Sequence, residues 1–309
     1  VTTASVRRAV ILTACRAPGA ALSAKAQALA EHHDDVVVAV DDHDALGALP
    51  ARWAAAQALL ATVPHAWATP LVHTSTLQTP ADRLAALAAR VGRFDTLVVE
   101  QPTLQTLARA LDVDVELAPR LGENGAVPAA LLQRRRAVVV LRAQPVHVGH
   151  VRLLEQAAAL ADEVIVVVAA AEQAYSQQNP FTAGERLQLL RASLSTTQLS
   201  RCWLVALPSP AWAAMAVTQL RFCLPAFDVI VTNNPVLQAM AEAEGIAVVG
   251  CAPVRVDDEA VSATGVRALL AAEPMHPRLT YVVPAGALQL LQTTTLRSRC
   301  AAMTTTEQR

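Results

Sequence analysis

Aromatic side chains make up only 3% of the 309 residues, too few to build the stacking platforms on which single-stranded nucleic acids rest. An excess of one charge is also missing, because 25 Lys and Arg face 26 Asp and Glu for a formal net charge of −1. Nucleic acid and anionic membrane surfaces are therefore not expected partners. The composition is 53% apolar, but alanine inflates that figure and the apolar residues fall in short segments. None approaches the roughly 18–20 residues of a membrane span. Five cysteines (Cys15, Cys202, Cys223, Cys251, Cys300) are scattered and odd in number, and form no C-x-x-C. That excludes a disulfide framework and a zinc ribbon, and points to reduced thiols in the cytoplasm. Arg7-Arg8 ahead of Leu12-Thr13-Ala14-Cys15 imitates a lipoprotein leader. The apolar core between them, about six residues, falls short of the roughly 7–15 required, so a buried first strand is expected.

What the chain does contain is a partial copy of itself. Arg8-Ala9-Val10-Ile11 aligns with Arg136-Ala137-Val138-Val139 at an offset of 128, which also lays Val36–Val40 on Val164–Val168. Phe94-Asp95 with Pro102, Leu104 and Gln105 matches Phe227-Asp228 with Pro235, Leu237 and Gln238 at an offset of 133. Ala118-Pro119 meets Ala252-Pro253, and Ala126-Val127 meets Ala260-Val261, one residue later still. A collinear series with small drift reads as two copies of one fold. Each copy opens strand, helix, strand, with valine runs too continuous to have a solvated face. Such runs suit a parallel sheet covered on both sides. Ala-rich segments at 22–32, 51–62, 82–91, 151–161 and 183–193 supply the crossover helices. The expected fold class is α/β, as two tandem Rossmann-like, doubly wound parallel-sheet domains. The first spans 1–130 and the second 131–309, with Gly122, Gly125, Pro128 and Arg134-Arg135-Arg136 near the boundary.

A doubly wound sheet binds its ligand beyond the carboxyl ends of its strands. In the second copy that place holds His147-Val148-Gly149-His150, directly after the run Ala137–Val140. An H-x-G-H between strand and helix brings two imidazoles to a helix N-terminus, where free N–H groups and the dipole attract phosphate. Gly149 lets the backbone approach the ligand. In the first copy the matching positions are Gly19, Ala21 and Leu22, so both imidazoles are gone.

Three further segments fall at the same end. Asn179-Pro180-Phe181-Thr182-Ala183-Gly184-Glu185-Arg186 carries a Thr182–Glu185 capping box. It also places Arg186 on a first helical turn, where a guanidinium can clamp phosphate bidentately. Ser262-x-Thr264-x-x-Arg267 offers hydroxyls and an arginine at another helix start, with Ser262 also a plain N-cap. The run Asp228–Pro235 is a strand ending in Asn233 and Asn234, amides able to read a base edge or to form a turn before a proline-initiated helix. Ser262, Thr264 and Arg267 meet Pro128, Ala130 and Gln133 of the first copy, so that domain is expected to have kept its core and lost its chemistry. His32-His33 and His43, beside Asp34-Asp35 and Asp41-Asp42, read as solvated helix-end and loop residues and not as a metal site. Trp53, Trp67 and Trp203 read as core residues, and the tail 304–309 as frayed.

Together these strings resemble the archaeal-type nicotinamide mononucleotide adenylyltransferases of the nucleotidylyltransferase superfamily. Leu141–His150 with Arg142 and Gln144 is similar to that family's G-R-F-Q-P-F-H-x-G-H, N-P-F-T-A-G-E-R stands intact at 179–186, and Thr232–Pro235 and Ser262–Arg267 follow in order. Pro208…Trp212 and Val283-Pro284 match two further landmarks, so the resemblance covers roughly residues 136–295. It implies adenylyl transfer from ATP to nicotinamide mononucleotide, giving NAD and pyrophosphate. His147, His150, Arg186 and Arg267 would be the catalytic residues. Arg142, Gln144, Gly149, Ser262, Thr264 and Asn233 would line the ATP site, with Trp212, Asn179 and Phe181 on the acceptor side. Mg²⁺ would arrive on the ATP phosphates, since no carboxylate cluster marks a cage.

The chain departs from the family pattern at Leu141, Ala143 and Val146. Residues 169–178 lack the family's Gly-Ser-Ala and histidine, and the loop Pro208-Ser209-Pro210-Ala211 lacks its Asp and Asn. Another phosphorylated acceptor and a catalytically silent nucleotide-binding regulator therefore stay open beside the family reaction. So does a homo-oligomer, whose neighbouring-subunit face a fused copy would cover.

Overall fold

The computed structural model describes residues 7–13, 17–41, 49–60, 62–63, 66–71, 79–109, 113–119, 121–123, 134–210, 212–273, 275–292 and 296. Cys15, Asp42, His43, Gly125, Pro128, Ala130, Gln133, Ala211, Cys300 and the tail 304–309 lie outside the described residues. Two compact units emerge, Val1–Arg134 with Thr218–Ala226, and Arg135–Val217 with Phe227–Arg309. Each is built on one parallel five-stranded sheet flanked by helices, which is the expected α/β class.

The first unit runs β1 (Arg8–Thr13), β2 (Ala17–Pro18), α1 (Ala20–Ala30), β3 (Asp35–Asp41), α2 (Leu49–Leu60), β4 (Ala66–Leu71), α3 (Pro80–Val91), β5 (Thr96–Val99), α4 (Pro102–Ala108), β6 (Asp114–Leu117) and β7 (Gly122–Glu123). The order across its sheet is β4-β3-β1-β5-β6, and β2 pairs separately with β7. Every residue of β1 and β3 is buried. Two-sided burial is why these strands read as unbroken runs of Val, Ile, Leu and Ala with no alternation.

The second unit follows the same plan. It runs β8 (Arg136–Leu141), α5 (Val148–Leu160), β9 (Glu163–Val168), α6 (Ala183–Ser193), α7 (Thr196–Leu199), β10 (Cys202–Ala206), α8 (Ala216–Cys223, most of which groups with the first unit), β11 (Val229–Val231), α9 (Pro235–Ala243), β12 (Ala247–Val249), β13 (Arg255–Val256), β14 (Glu259–Ala260), α10 (Ala263–Ala272), α11 (Leu279–Val282) and α12 (Ala285–Leu291). Its sheet order is β10-β9-β8-β11-β12, and β13 and β14 form a separate antiparallel ribbon. The alanine-rich segments at 151–161 and 183–193 lie almost wholly within α5 and α6.

The amino end of each sheet is held by the same device. In the first unit Arg8 is buried, its Nε donates to Asp35 Oδ2 at 2.7 Å, and its backbone N–H donates to Asp95 Oδ2 at 2.9 Å. In the second, Arg136 is buried, Nε donates to Glu163 Oε2 at 2.8 Å, and the backbone N–H donates to Asp228 Oδ2 at 2.8 Å. A tryptophan on the neighbouring strand completes each. Trp67 donates Nε1–H to Asp35 Oδ1 at 2.8 Å, and the Arg136 guanidinium lies over the Trp203 ring, 5.2 Å from its centroid. Buried charge is tolerated because each guanidinium is paired and hydrogen-bonded. His33 is also satisfied, between the Leu29 carbonyl and Thr96 Oγ1, each at 2.9 Å. Among the described residues no helix is long and apolar enough to cross a membrane.

Candidate active site

All the segments singled out in the second copy emerge at the carboxyl end of its sheet. β8 leads into the loop 142–147, β9 into 169–182, β10 into 207–212 and β11 into Thr232–Asn234. His147 is the N-cap of α5, in extended conformation (φ −144°), and its Nδ1 accepts the Gly149 N–H at 3.1 Å. His150 Nδ1 accepts the His147 N–H at 3.2 Å. The imidazoles thus serve as a capping pair, and their rings stack with centroids 3.8 Å apart. Burial lowers the His147 pKa to about 4, and burial followed by the proximity of His147 holds His150 well below the ordinary imidazole range. Both rings are neutral at neutral pH. With each Nδ1 occupied as an acceptor, the ring proton sits on Nε2, leaving two N–H donors at a helix N-terminus. A Cβ on Gly149 would stand 2.9 Å from His147 Cε1 and 3.0 Å from Nδ1, so the glycine is required by the ring packed on it.

Positive charge converges on the same place. Arg267 Nη1 donates to the Gln144 carbonyl and Nη2 to Thr264 Oγ1 at 3.1 Å, tying the start of α10 to the loop before His147. Ser262 caps α10 by accepting the Gly265 N–H at 3.2 Å. Arg142 is exposed at the mouth of the loop. Asn233 Oδ1 accepts the Cys251 N–H at 2.8 Å, while Asn234 caps α9 through the Val236 and Leu237 N–H groups. Among the described residues no group of three or more His, Cys, Asp or Glu is gathered where a metal ion could sit. The N–H donors that line this end suit phosphate oxygens.

Gln144, Phe181 and Arg186 are held in the interior of the fold. Gln144 was expected on ATP, yet its amide is buried and closes a reciprocal pair with the Phe181 backbone, donating to the carbonyl at 2.8 Å and accepting the N–H at 3.0 Å. Phe181 was expected on the acceptor, yet its side chain is wholly buried. Arg186 was expected to clamp phosphate, but it has 0% exposure and donates to five backbone carbonyls. Burial brings its pKa down to about 10. The Thr182–Glu185 capping box forms as expected, with Thr182 N–H to Glu185 Oε2 at 2.8 Å and Glu185 N–H to Thr182 Oγ1 at 3.3 Å.

On the acceptor side, Trp212 precedes a 3₁₀ turn with 73% of its surface exposed. Asn179 is buried, its Nδ2 donates to Gln173 Oε1 at 3.0 Å, and its Oδ1 is left with no hydrogen-bond partner. A network that the sequence reading missed joins the two acceptor-side loops. Glu172 Oε2 accepts the Ser209 N–H at 2.9 Å, and Gln173 Nε2 lies 3.4 Å from Ser209 Oγ. Burial raises the Glu172 pKa, but the Ser209 hydrogen bonds outweigh it and leave the carboxyl below its ordinary value. Nothing in the spacing of these residues, 37 positions apart, signals that contact.

The fold and this site define a nucleotidyl-transfer class, and residues 142–268 match the family described as Cytidylyltransferase-like. The nicotinamide-nucleotide adenylyltransferase of Ignicoccus hospitalis is 30% identical over 159 residues, covering 51% of this chain and 91% of that relative. That of Aeropyrum pernix is 37% identical over 115 residues, 37% of this chain and 67% of its own. A solved bifunctional NMN adenylyltransferase/ADP ribose pyrophosphatase from Francisella tularensis is similar at TM-score 0.43 and 15% identity, over 56% of this chain and 53% of that one. The chain belongs to the nicotinamide-nucleotide adenylyltransferase family.

Proposed function

We propose that the second unit transfers the adenylyl group of ATP to nicotinamide mononucleotide, forming NAD and releasing pyrophosphate. The observation that carries this reading is the pair of neutral, stacked imidazoles at the start of α5, each with Nδ1 tied to backbone and Nε2–H free to donate. An oxygen of the mononucleotide's 5′-phosphate attacks the α-phosphorus of ATP, the bond to the bridging oxygen breaks, and pyrophosphate leaves. The attacking phosphate is already ionised, so no protein base is needed. Catalysis is positioning and neutralisation of charge.

His147 and His150 donate to the triphosphate, together with the free N–H groups of the first turn of α5. Arg142 and Arg267 face it as cations, and Ser262 and Thr264 approach from the start of α10. Triphosphate raises the imidazole pKa values, so the donors become charged when the charge is useful. Asn233 lies toward the adenine, while Trp212 and Asn179 face the acceptor base. Mg²⁺ carried in by the nucleotide would add further neutralisation of charge beside these donors. Among the described residues, the thiols of Cys202 and Cys251 form no disulfide, which suits a cytoplasmic setting. The first unit, with Gly19, Ala21 and Leu22 where the second has His147, Gly149 and His150, is a non-catalytic copy. Its shared strand order and its Arg8–Asp35 pair support that reading.

The test is pyrophosphate release from ATP and Mg²⁺ with nicotinamide mononucleotide, its nicotinate analogue and a panel of phosphorylated acceptors. NAD formation is expected. His150→Ala should lower kcat by about 10²–10³, the loss measured when one preorganised donor is removed from a developing anion. Turnover only with a different acceptor would overturn the substrate. ATP binding without turnover would make the chain a regulator.

A further inference from the structure

Arg186 is the fourth residue of α6, and each of its five N–H donors meets a backbone carbonyl. Nε donates to Thr182 at 3.3 Å, Nη1 to Arg142 at 3.1 Å and Ala169 at 2.8 Å, and Nη2 to Ala170 at 2.9 Å and Gln173 at 3.5 Å. These carbonyls belong to the loop after β8, the loop after β9 and the cap of α6. A guanidinium has no sixth donor for phosphate.

The two loops have something to hold. Ala143, next to the Arg142 carbonyl, has φ +50°, and Ala170, whose own carbonyl is bound, has φ +52°. An alanine resists that left-handed conformation because its Cβ crowds the carbonyl. Both corners are therefore sharp turns that the local sequence does not favour, and the guanidinium sits between them. The first corner leads through Gln144 to His147, and the second through Glu172 and Gln173 to the acceptor loop.

A second observation is independent of the site. Arg52 is the fourth residue of α2, the helix joining the same pair of strands in the first unit, and it is 1% exposed. That unit lacks both imidazoles, yet it keeps a buried arginine at the matching place.

We infer that Arg186 is a positioning residue. It clamps the strained corners at Arg142-Ala143 and Ala169-Ala170, setting the catalytic and acceptor loops in register, and it does not itself bind phosphate. This rests on the adenylyl-transfer reading for its kinetic consequence, but not for its structural one.

The experiment uses the full chain with Arg186→Lys, Arg186→Met, and each of these combined with Ala143→Gly and Ala170→Gly. Kinetics of NAD formation and the Tm of the unliganded protein are both measured. Lysine keeps the charge but cannot reach five carbonyls. Both single variants are expected to lose about 100-fold in kcat/KM, the scale of a misplaced catalytic geometry, and to melt lower than the parent. Glycine at 143 and 170 should restore roughly tenfold of that loss, because the left-handed corners then form without a clamp. The same glycines should restore nothing in a His150→Ala chain.

Arg186→Lys with near-parental kcat and only a raised KM for ATP, an unchanged or higher Tm, or no recovery with glycine would each overturn the inference. If the lysine and methionine variants do not fold, folding regained on adding the two glycines supports the clamp, and failure to regain it counts against the clamp. A parent chain that forms no NAD removes the functional reading alone, since the Tm series still reports on the clamp.

Discussion

Lowering the pH should unload a specific amount of stability from the start of α5. His147 is 8% exposed, and burial brings its pKa from 6.5 to about 4. The folded chain therefore binds fewer protons at this ring than the unfolded chain between those two values. The sign follows directly. The stabilisation is complete above pH 6.5 and is lost as the pH falls through that value toward 4. At about 1.4 kcal/mol per pH unit, the full loss is about 3 kcal/mol. The assay is urea unfolding of the parent and of His147→Gln, a variant that retains an acceptor for the Gly149 N–H, at several pH values from 7.5 to about 4. Other titrating groups contribute to both chains, so the informative quantity is the stability difference between them. The parent's advantage should shrink by about 3 kcal/mol across the range. A difference that stays constant with pH, or grows in the parent's favour toward acid, would refute the assignment of a buried neutral imidazole. Adding a non-hydrolysable triphosphate should offset the acid loss, because the anion favours the protonated ring.

Two substitutions probe close packing at glycine. Gly149→Ala places a methyl against the His147 ring, so loss of the cap should cost about 1 kcal/mol and turnover should fall with it, read by urea midpoint and NAD formation. Gly286→Ala drives a Cβ into the Ala192 carbonyl oxygen where α12 lies on α6. It should destabilise by about 1–3 kcal/mol, seen as a lower Tm with the KM values for both substrates little changed.

Much of the architecture can be read from residue order because its causes are local. The runs Val36–Val40 and Val164–Val168 are buried on both faces, which leaves no alternation to misread. Thr182, Asn234 and Ser262 are ordinary N-caps and mark the starts of α6, α9 and α10. The geometry of the candidate site was legible at His147, Gly149 and His150 because their spacing itself sets the cap. It was not legible where a side chain acts across the fold. Gln144 meets Phe181 37 residues away, and an amide carries no mark of its partner. Arg186 stands on a first helical turn, where a charged residue usually faces solvent, and only the carbonyls of two other loops reveal why it is buried. Ala143 and Ala170 adopt a conformation that sequence rules reserve for Gly, Asn or Asp.

The paired arginine and acid at the amino end of each sheet have a consequence for how such chains change over time. Arg8 with Asp35 and Arg136 with Glu163 anchor the strands at their amino ends, away from the carboxyl ends where a doubly wound sheet carries its binding loops. Foundation and workshop stand at opposite ends of the same strands. Substitutions in the workshop can accumulate without loosening the foundation, so a unit can surrender its reaction and still fold. A library that randomises the loops after β8 and β9 while leaving Arg136, Glu163 and Asp228 intact is thus a source of folded scaffolds. On the non-catalytic reading proposed above, the first unit is vacant ground, already built to hold whatever its strand ends next come to recognise.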